Sequence, residues 1–134
     1  MVTTERLLPS RRENCTQVVQ IGPSKVYVTL GFYDDAHQDV GEIFISLEKT
    51  GSERRSMMDE IARLASKLRQ HGCALEVIAE GWLGTKGQPA GPVRGSTHIK
   101  HCSSVLDYVA RLLLITYCQR DDLAHVAAPE HGEG

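Results

Sequence analysis

KVYVTLGFYDDAHQDVGEIFISLEK, residues 25–49, decides the fold. Its first part alternates: Val26, Val28, Leu30 and Phe32 fall on one side of an extended chain, Tyr27, Thr29 and Tyr33 on the other. After the polar turn DDAHQD the alternation resumes, with Ile43, Ile45 and Leu47 on one face and Phe44 and Ser46 opposite. Two strands joined by a short polar turn pair antiparallel. Upstream, TQVVQI from Thr16 is a third β-rich run, closed by the turn residues Gly22-Pro23-Ser24. The sequence therefore predicts a three-stranded antiparallel meander.

Downstream the period changes to that of a helix. Thr50-Gly51-Ser52-Glu53 has the spacing of a capping box. Met57, Met58, Ile61, Leu64, Ala65 and Leu68 then recur at helical intervals and predict one core-facing stripe, with Gly72 as the stop. Ala74–Leu83 fits a second helix with Leu75, Ile78 and Ala79 inward. GTKGQPAGPVRGSTH holds four glycines and two prolines and is expected to be a long exposed loop. Ser103 or Ser104 can cap a third helix carrying Val105, Leu106, Val109, Leu112, Leu113 and Thr116 inward and ending near residues 117–120. The expected architecture is α+β: three antiparallel strands followed by three helices on one face, in the order β-β-β-α-α-α. Residues 1–14 are expected to form a flexible arm, 15–120 the single domain and 121–134 a flexible tail.

Composition narrows function. In 134 residues, 41% hydrophobic and 24% charged, there is material for one ordinary core. A net charge of -2 argues against a broad electrostatic grip on nucleic acid. No apolar run approaches the roughly 20 residues needed to cross a bilayer. The N-terminus also lacks the apolar stretch of a signal peptide, so no membrane association and a cytoplasmic location are expected. Cys15, Cys73, Cys102 and Cys118 form no CxxC pair and are read as reduced thiols.

Several of these stretches together carry a resemblance. KVYVTLGFYDD, GEIFISLEKTGS, MMDEIARLASKLRQHG and CSSVLDYVARLL resemble the TSCPD domain, found near the C-terminus of adenosylcobalamin-dependent ribonucleotide reductases, over roughly residues 5–117. Gly41-Glu42-Ile43-Phe44-Ile45 is similar to that family's third-strand core. Lys86-Gly87-Gln88-Pro89-Ala90-Gly91 resembles its basic-x-acid-Pro-small-Gly loop, with Gln in the acidic place, and RLLPSRREN its lead-in. Cys102-Ser103-Ser104 departs from the family's Cys-Pro-Asp pattern, while Asp107-Tyr108 fits a branch reading Lys-Ser-Ile-x-Asp-Tyr. The resemblance implies a free-standing accessory domain, not a reductase, because a chain of 134 residues has no room for the catalytic barrel.

The site expectations follow. If the helices cover the Val26/Ile43 face, the opposite face offers Tyr27, Thr29, Tyr33 and Phe44 to a protein partner, to a second copy in a symmetric dimer, or to stacked bases. The competing reading has the termini cover that face as a second small core. Thr85, Lys86, Arg94, Ser96, Thr97 and Lys100 of the Gly-rich segment could contact phosphate or a nucleotide, though they lack P-loop spacing. His98, His101 and Cys102 are zinc-ligand types, but H-x-x-H-C is no recognised zinc spacing, so no metal or other cofactor is expected. Ser103, His101 and Asp107 are near in sequence, yet helical spacing gives no reason for them to converge, and no catalytic residue is expected. The expected function is a non-catalytic binding or regulatory module acting through protein contacts, with a ribonucleotide reductase subunit as the partner the resemblance implies. The alternative is a nucleotide or nucleic-acid binding module.

Overall fold

The computed structural model describes residues 5–48 and 51–126. Three strands open the chain: β1 (Asn14–Ile21), β2 (Ser24–Phe32) and β3 (Val40–Leu47). The helices α1 (Ser52–Gln70) and α2 (Leu75–Trp82) follow. Two short strands come next, β4 (Gly91–Arg94) and β5 (His101–Cys102), and then α3 (Val105–Tyr117) and a single 3-10 turn over Asp121–Leu123. The sheet is five-stranded and antiparallel, in the order β3-β2-β1-β4-β5.

The three-stranded sheet and the β-β-β-α-α-α order are therefore corrected. Part of the segment expected to be an exposed loop, residues 84–98, forms β4, and β5 follows just beyond it, before the last helix, with Ile21 opposite Val93 and Gly91 opposite Cys102. Val93 within that segment and Ile99 just after it are buried, with β4 adding to the free edge of β1.

Alternation fixes which face is inside. Leu47, Val26 and Val19 form one cross-strand row, Ile43, Leu30 and Cys15 another. The large apolar members of these rows are buried, each contributing about 1.5–3 kcal/mol relative to exposure. α3 closes this core and is buried on most sides, through Tyr108, Val109, Ala110, Leu113 and Leu114. Ser104 caps it, its hydroxyl accepting from the Asp107 amide at 3.0 Å. α2 packs on α3 and buries Leu75, Ile78 and Ala79, as its period predicts.

α1 departs from expectation in its start and its facing. Gly51, not Thr50, is its N-cap, and Thr50 lies outside the described residues, as do residues 1–4 and 127–134 of the expected arm and tail. The helix buries Ala62, Ala65 and Ser66 rather than its large apolar side chains. The cause is close approach to the outer edge of β3. The Ser66 hydroxyl accepts from the Ile43 amide of this edge strand at 2.8 Å, and its single proton is within reach of two carbonyls, Ala62 at 3.0 Å and Ile43 at 3.1 Å. Gln70 donates to the Gly41 carbonyl at 3.1 Å. Only small residues allow a helix so near. α1 ends as expected before Gly72, whose φ of +98° is a left-handed conformation glycine adopts freely. No helix among the described residues is long and apolar enough to cross a membrane.

Candidate functional site

The outer face of the sheet is built by the same register. Ser46, Tyr27 and Val18 form one row and Phe44, Thr29 and Thr16 the next. Phe44 is 51% exposed and Val18 40%, high for apolar side chains in the middle of a sheet. The polar groups between them are tied together: the Thr16 and Thr29 hydroxyls share a hydrogen bond of 2.9 Å, and the Tyr27 hydroxyl donates to Glu48 at 2.8 Å. That bond to a carboxylate holds the Tyr27 phenol above its ordinary pKa. α1 stands beside this face as a wall, and together they enclose a hollow of about 420 Å3. Tyr27, Thr29 and Phe44 line its sheet side and Arg63 and Lys67 its helix side.

Tyr33, the fourth expected member, does not share that hollow. The N-terminal segment crosses it: the Arg6 guanidinium lies 3.7 Å from the Tyr33 ring centroid, and the Tyr33 hydroxyl donates to the Arg6 carbonyl at 3.0 Å. The segment is held at both flanks, Arg6 N donating to the Gln70 carbonyl at 2.7 Å and Arg12 gripping Glu42 at 2.6 and 3.0 Å. Gly41 completes the closure, because a Cβ there would stand 2.6 Å from both Leu8 and Tyr33. The Tyr33 end is covered and the Tyr27/Thr29/Phe44 end is open.

The Gly-rich segment is organised by Asp107. This carboxylate, 1% exposed, accepts from Gly84 N at 2.8 Å, Ser103 N at 3.0 Å and Arg111 Nε at 3.3 Å. Burial alone would raise its pKa; the two amides and the guanidinium outweigh burial and hold it below the usual carboxylate range. Both ends of the segment are thereby fastened to the first turn of α3. The expected phosphate-contact residues then divide. Thr85 and Lys86 border a groove of about 710 Å3 between α1 and the start of α3, walled by Met57, Met58, Ile61 and Leu106. Arg94 lies on β4 opposite Gln20. Ser96 and Lys100 belong to the β4–β5 turn, where Lys100 Nζ donates to the Ser96 carbonyl at 2.7 Å and Ser96 Oγ accepts from Ile99 N at 3.1 Å. Thr97 is exposed in that turn. The groove itself was not foreseen. Its sequence signal was the Met57-Met58 pair, which had been assigned to the core stripe.

Reactive groups are held in unreactive settings. Burial pushes the Cys102 thiol up to about 11, with the Asp107 charge adding to it, so it stays protonated at neutral pH. The Ser103 hydroxyl donates to the Thr85 carbonyl at 2.8 Å, and His101 stacks on His125 at 3.7 Å between centroids. Serine and imidazole therefore face different partners. Among the described residues no group of three or more His, Cys, Asp or Glu side chains could hold a metal ion.

Comparison with known proteins gives a consistent result. The sequence model of the TSCPD domain matches residues 3–117. The chain is 42% identical over 123 residues to the vitamin B12-dependent ribonucleotide reductase of Bradyrhizobium diazoefficiens, covering 92% of this chain and 10% of that protein. It is 44% identical over 119 residues to that of Agrobacterium fabrum, covering 89% and 9%, and 34% identical over 130 residues to that of Rhodopirellula baltica, covering 95% and 12%. The chain thus spans about a tenth of the length of these relatives. No solved structure matches it.

Proposed function

This chain belongs to the TSCPD domain family, and from that premise we propose that it is a non-catalytic accessory module of ribonucleotide reduction that holds a protein partner through the open part of its outer sheet face. The observation that carries the reading is one of proportion. Nearly all of this chain corresponds to about a tenth of proteins named as vitamin B12-dependent ribonucleotide reductases. What it shares with them is a folded unit small beside the rest of the enzyme.

The chemistry of the surface supports contact rather than turnover. The candidate hydroxyl, thiol and imidazole groups are engaged in structure or buried, as described above. Tyr27, Thr29, Phe44 and Val18 present instead a ring-rich patch with satisfied polar groups, the composition that protein interfaces favour at their centres. Arg63 and Lys67, with Glu42 and Asp59 beside them, give the hollow a border of mixed charge, which suits a partner whose rim carries both signs.

The test is a pull-down against the Agrobacterium reductase from which the matching segment has been deleted. Tyr27→Ala with Phe44→Ala is expected to weaken capture at least tenfold, about 1.4 kcal/mol or more, while circular dichroism and melting temperature stay near wild type. Undiminished capture by the double variant would reject this face as the docking surface. A parallel titration with nucleoside triphosphates, read by melting temperature, is expected to give no shift. A rise with ligand concentration would favour a nucleotide-binding module instead.

A further inference from the structure

α1 carries a second feature that neither the core nor the outer sheet face uses. Met57, Leu64 and Leu68 are 58%, 56% and 53% exposed, and Ile61 between them is half-buried. Their spacing of four, three and four residues is the heptad seam by which two helices interlock. The seam lies about 120° around the helix from the Ala62/Ala65/Ser66 face that meets β3, at 100° per residue. It therefore turns away from β3, while Met57 and Ile61 at its N-terminal end line the groove beside the start of α3.

We propose that this seam is a self-association surface on which α1 packs antiparallel against α1 of a second copy of the chain. Antiparallel alignment about a two-fold axis sets Met57 against the other copy's Leu68 and Ile61 against its Leu64, so that every layer is apolar. Charge selects the same arrangement. Glu60 and Lys67 both border the seam on its side away from the core, seven residues apart, and antiparallel packing lays each copy's Glu60 beside the other's Lys67. Glu60 meets Arg63 of its own helix at 2.6 Å with both side chains more than half exposed, a pairing that leaves carboxylate surface for a second cation.

The shape at the two ends of the seam is complementary as well. At the N-terminal end the seam opens into the groove of about 710 Å3 beside Met58 and Leu106; at the C-terminal end Leu68 projects. Antiparallel packing brings each projecting Leu68 to the mouth of the other copy's groove, the self-complementary pattern of an isologous dimer. Arg54, at the groove, then stands near the C-terminal end of the facing helix, where a cation is favoured.

Sedimentation equilibrium of the 134-residue chain across the micromolar range tests this. The expected result is a reversible monomer–dimer equilibrium. Leu64→Glu with Leu68→Glu is expected to leave a monomer at every concentration with unchanged circular dichroism, since both side chains are exposed in the single chain. Should that variant lose its fold, the charge pair decides. Glu60→Lys and Lys67→Glu are each expected to weaken the dimer about fivefold or more, and the double exchange to restore it, because each pair occurs twice across the axis. Tyr27→Ala with Phe44→Ala is expected to leave the dimer intact, which separates this surface from the docking face proposed above. A wild-type chain that stays monomeric throughout, or a dimer lost with the sheet-face variant and kept in the seam variants, overturns the proposal.

Discussion

Replacing Asp107 with Asn is a change of one atom that should loosen the whole segment between α2 and α3. The carboxylate receives two backbone amides on separate oxygens, Gly84 N on Oδ1 at 2.8 Å and Ser103 N on Oδ2 at 3.0 Å, with Arg111 Nε also on Oδ2. An amide has one oxygen. Whichever way Asn turns, one of the two N–H groups faces an NH2 donor in a site that is 1% exposed. The loss is one charge-assisted hydrogen bond, about 1.5–3 kcal/mol, overlapping with the cost of a stranded buried amide, about 1–3 kcal/mol. Arg111 is 22% exposed in its side chain and regains water, so its share is small. We expect a loss of about 3–4 kcal/mol, or a fall in melting temperature of roughly 10–15 °C for a chain of this length. The pH dependence has a definite sign. Because the folded pKa lies below the unfolded one, the carboxylate's stabilisation is complete above the ordinary value and is lost as pH falls through the folded value. The gap between wild type and Asp107→Asn should therefore close as urea titrations are moved from pH 7 to below about 4. Hydrogen exchange should show faster exchange at Gly84 or Ser103. A variant that melts with wild type at pH 7 and keeps both amides protected would refute the argument.

Ser66→Ala should cost about 1–3 kcal/mol despite being a small change, because it strands the Ile43 amide on the edge of β3. Urea denaturation measures the loss, and accelerated exchange at Ile43 localises it. Burial, aided by His101 and Arg111, holds the His125 imidazole below its ordinary pKa, and its Nδ1 accepts from Lys100 N at 3.0 Å. The unfolded chain then takes up the proton first as pH falls, so stability should drop from pH 7.5 through the ordinary histidine value and below it. His125→Gln should flatten that part of a melting-temperature profile against pH, and an unaltered profile would contradict the assignment.

What could be read from the sequence was what alternation and helical period report directly. The rows led by Val26 and Ile43 need only a period of two, and α3 only its apolar density and the Ser104 cap. β4 and β5 escaped because Gly91-Pro92 and Gly95 look like breakers, while the residues between them are too few to show a period. Here Gly91 is a paired residue of β4 and Gly95, at a φ of +98°, begins the connection to β5. For α1 the period gives the helix and the burial of Ala65, but not the exposure of Met57, Leu64 and Leu68. Hydrophobicity ranks Met57, Leu64 and Leu68 above Ala62 and Ser66, whereas a helix pressed against a strand edge selects for small volume and a hydroxyl. Tyr33 was grouped with Tyr27 on parity alone, and no local pattern announces that Arg6 will cross it. The role of Asp107 was hidden for a related reason: its two amide partners lie 23 and 4 residues away, and only the folded segment brings them to one carboxylate.

The seating of Ser66 on Ile43 has a consequence for what this protein can become in a crowded solution. At one margin of the sheet side chains of α1 already take the Ile43 amide and the Gly41 carbonyl, and at the other the last strand is only two residues long. Both features shorten the template on which an extended foreign chain could add and grow into a fibril. Side-chain surfaces of finite size, which saturate, are thereby favoured over strand addition, and a high concentration of the chain should yield discrete complexes before polymer.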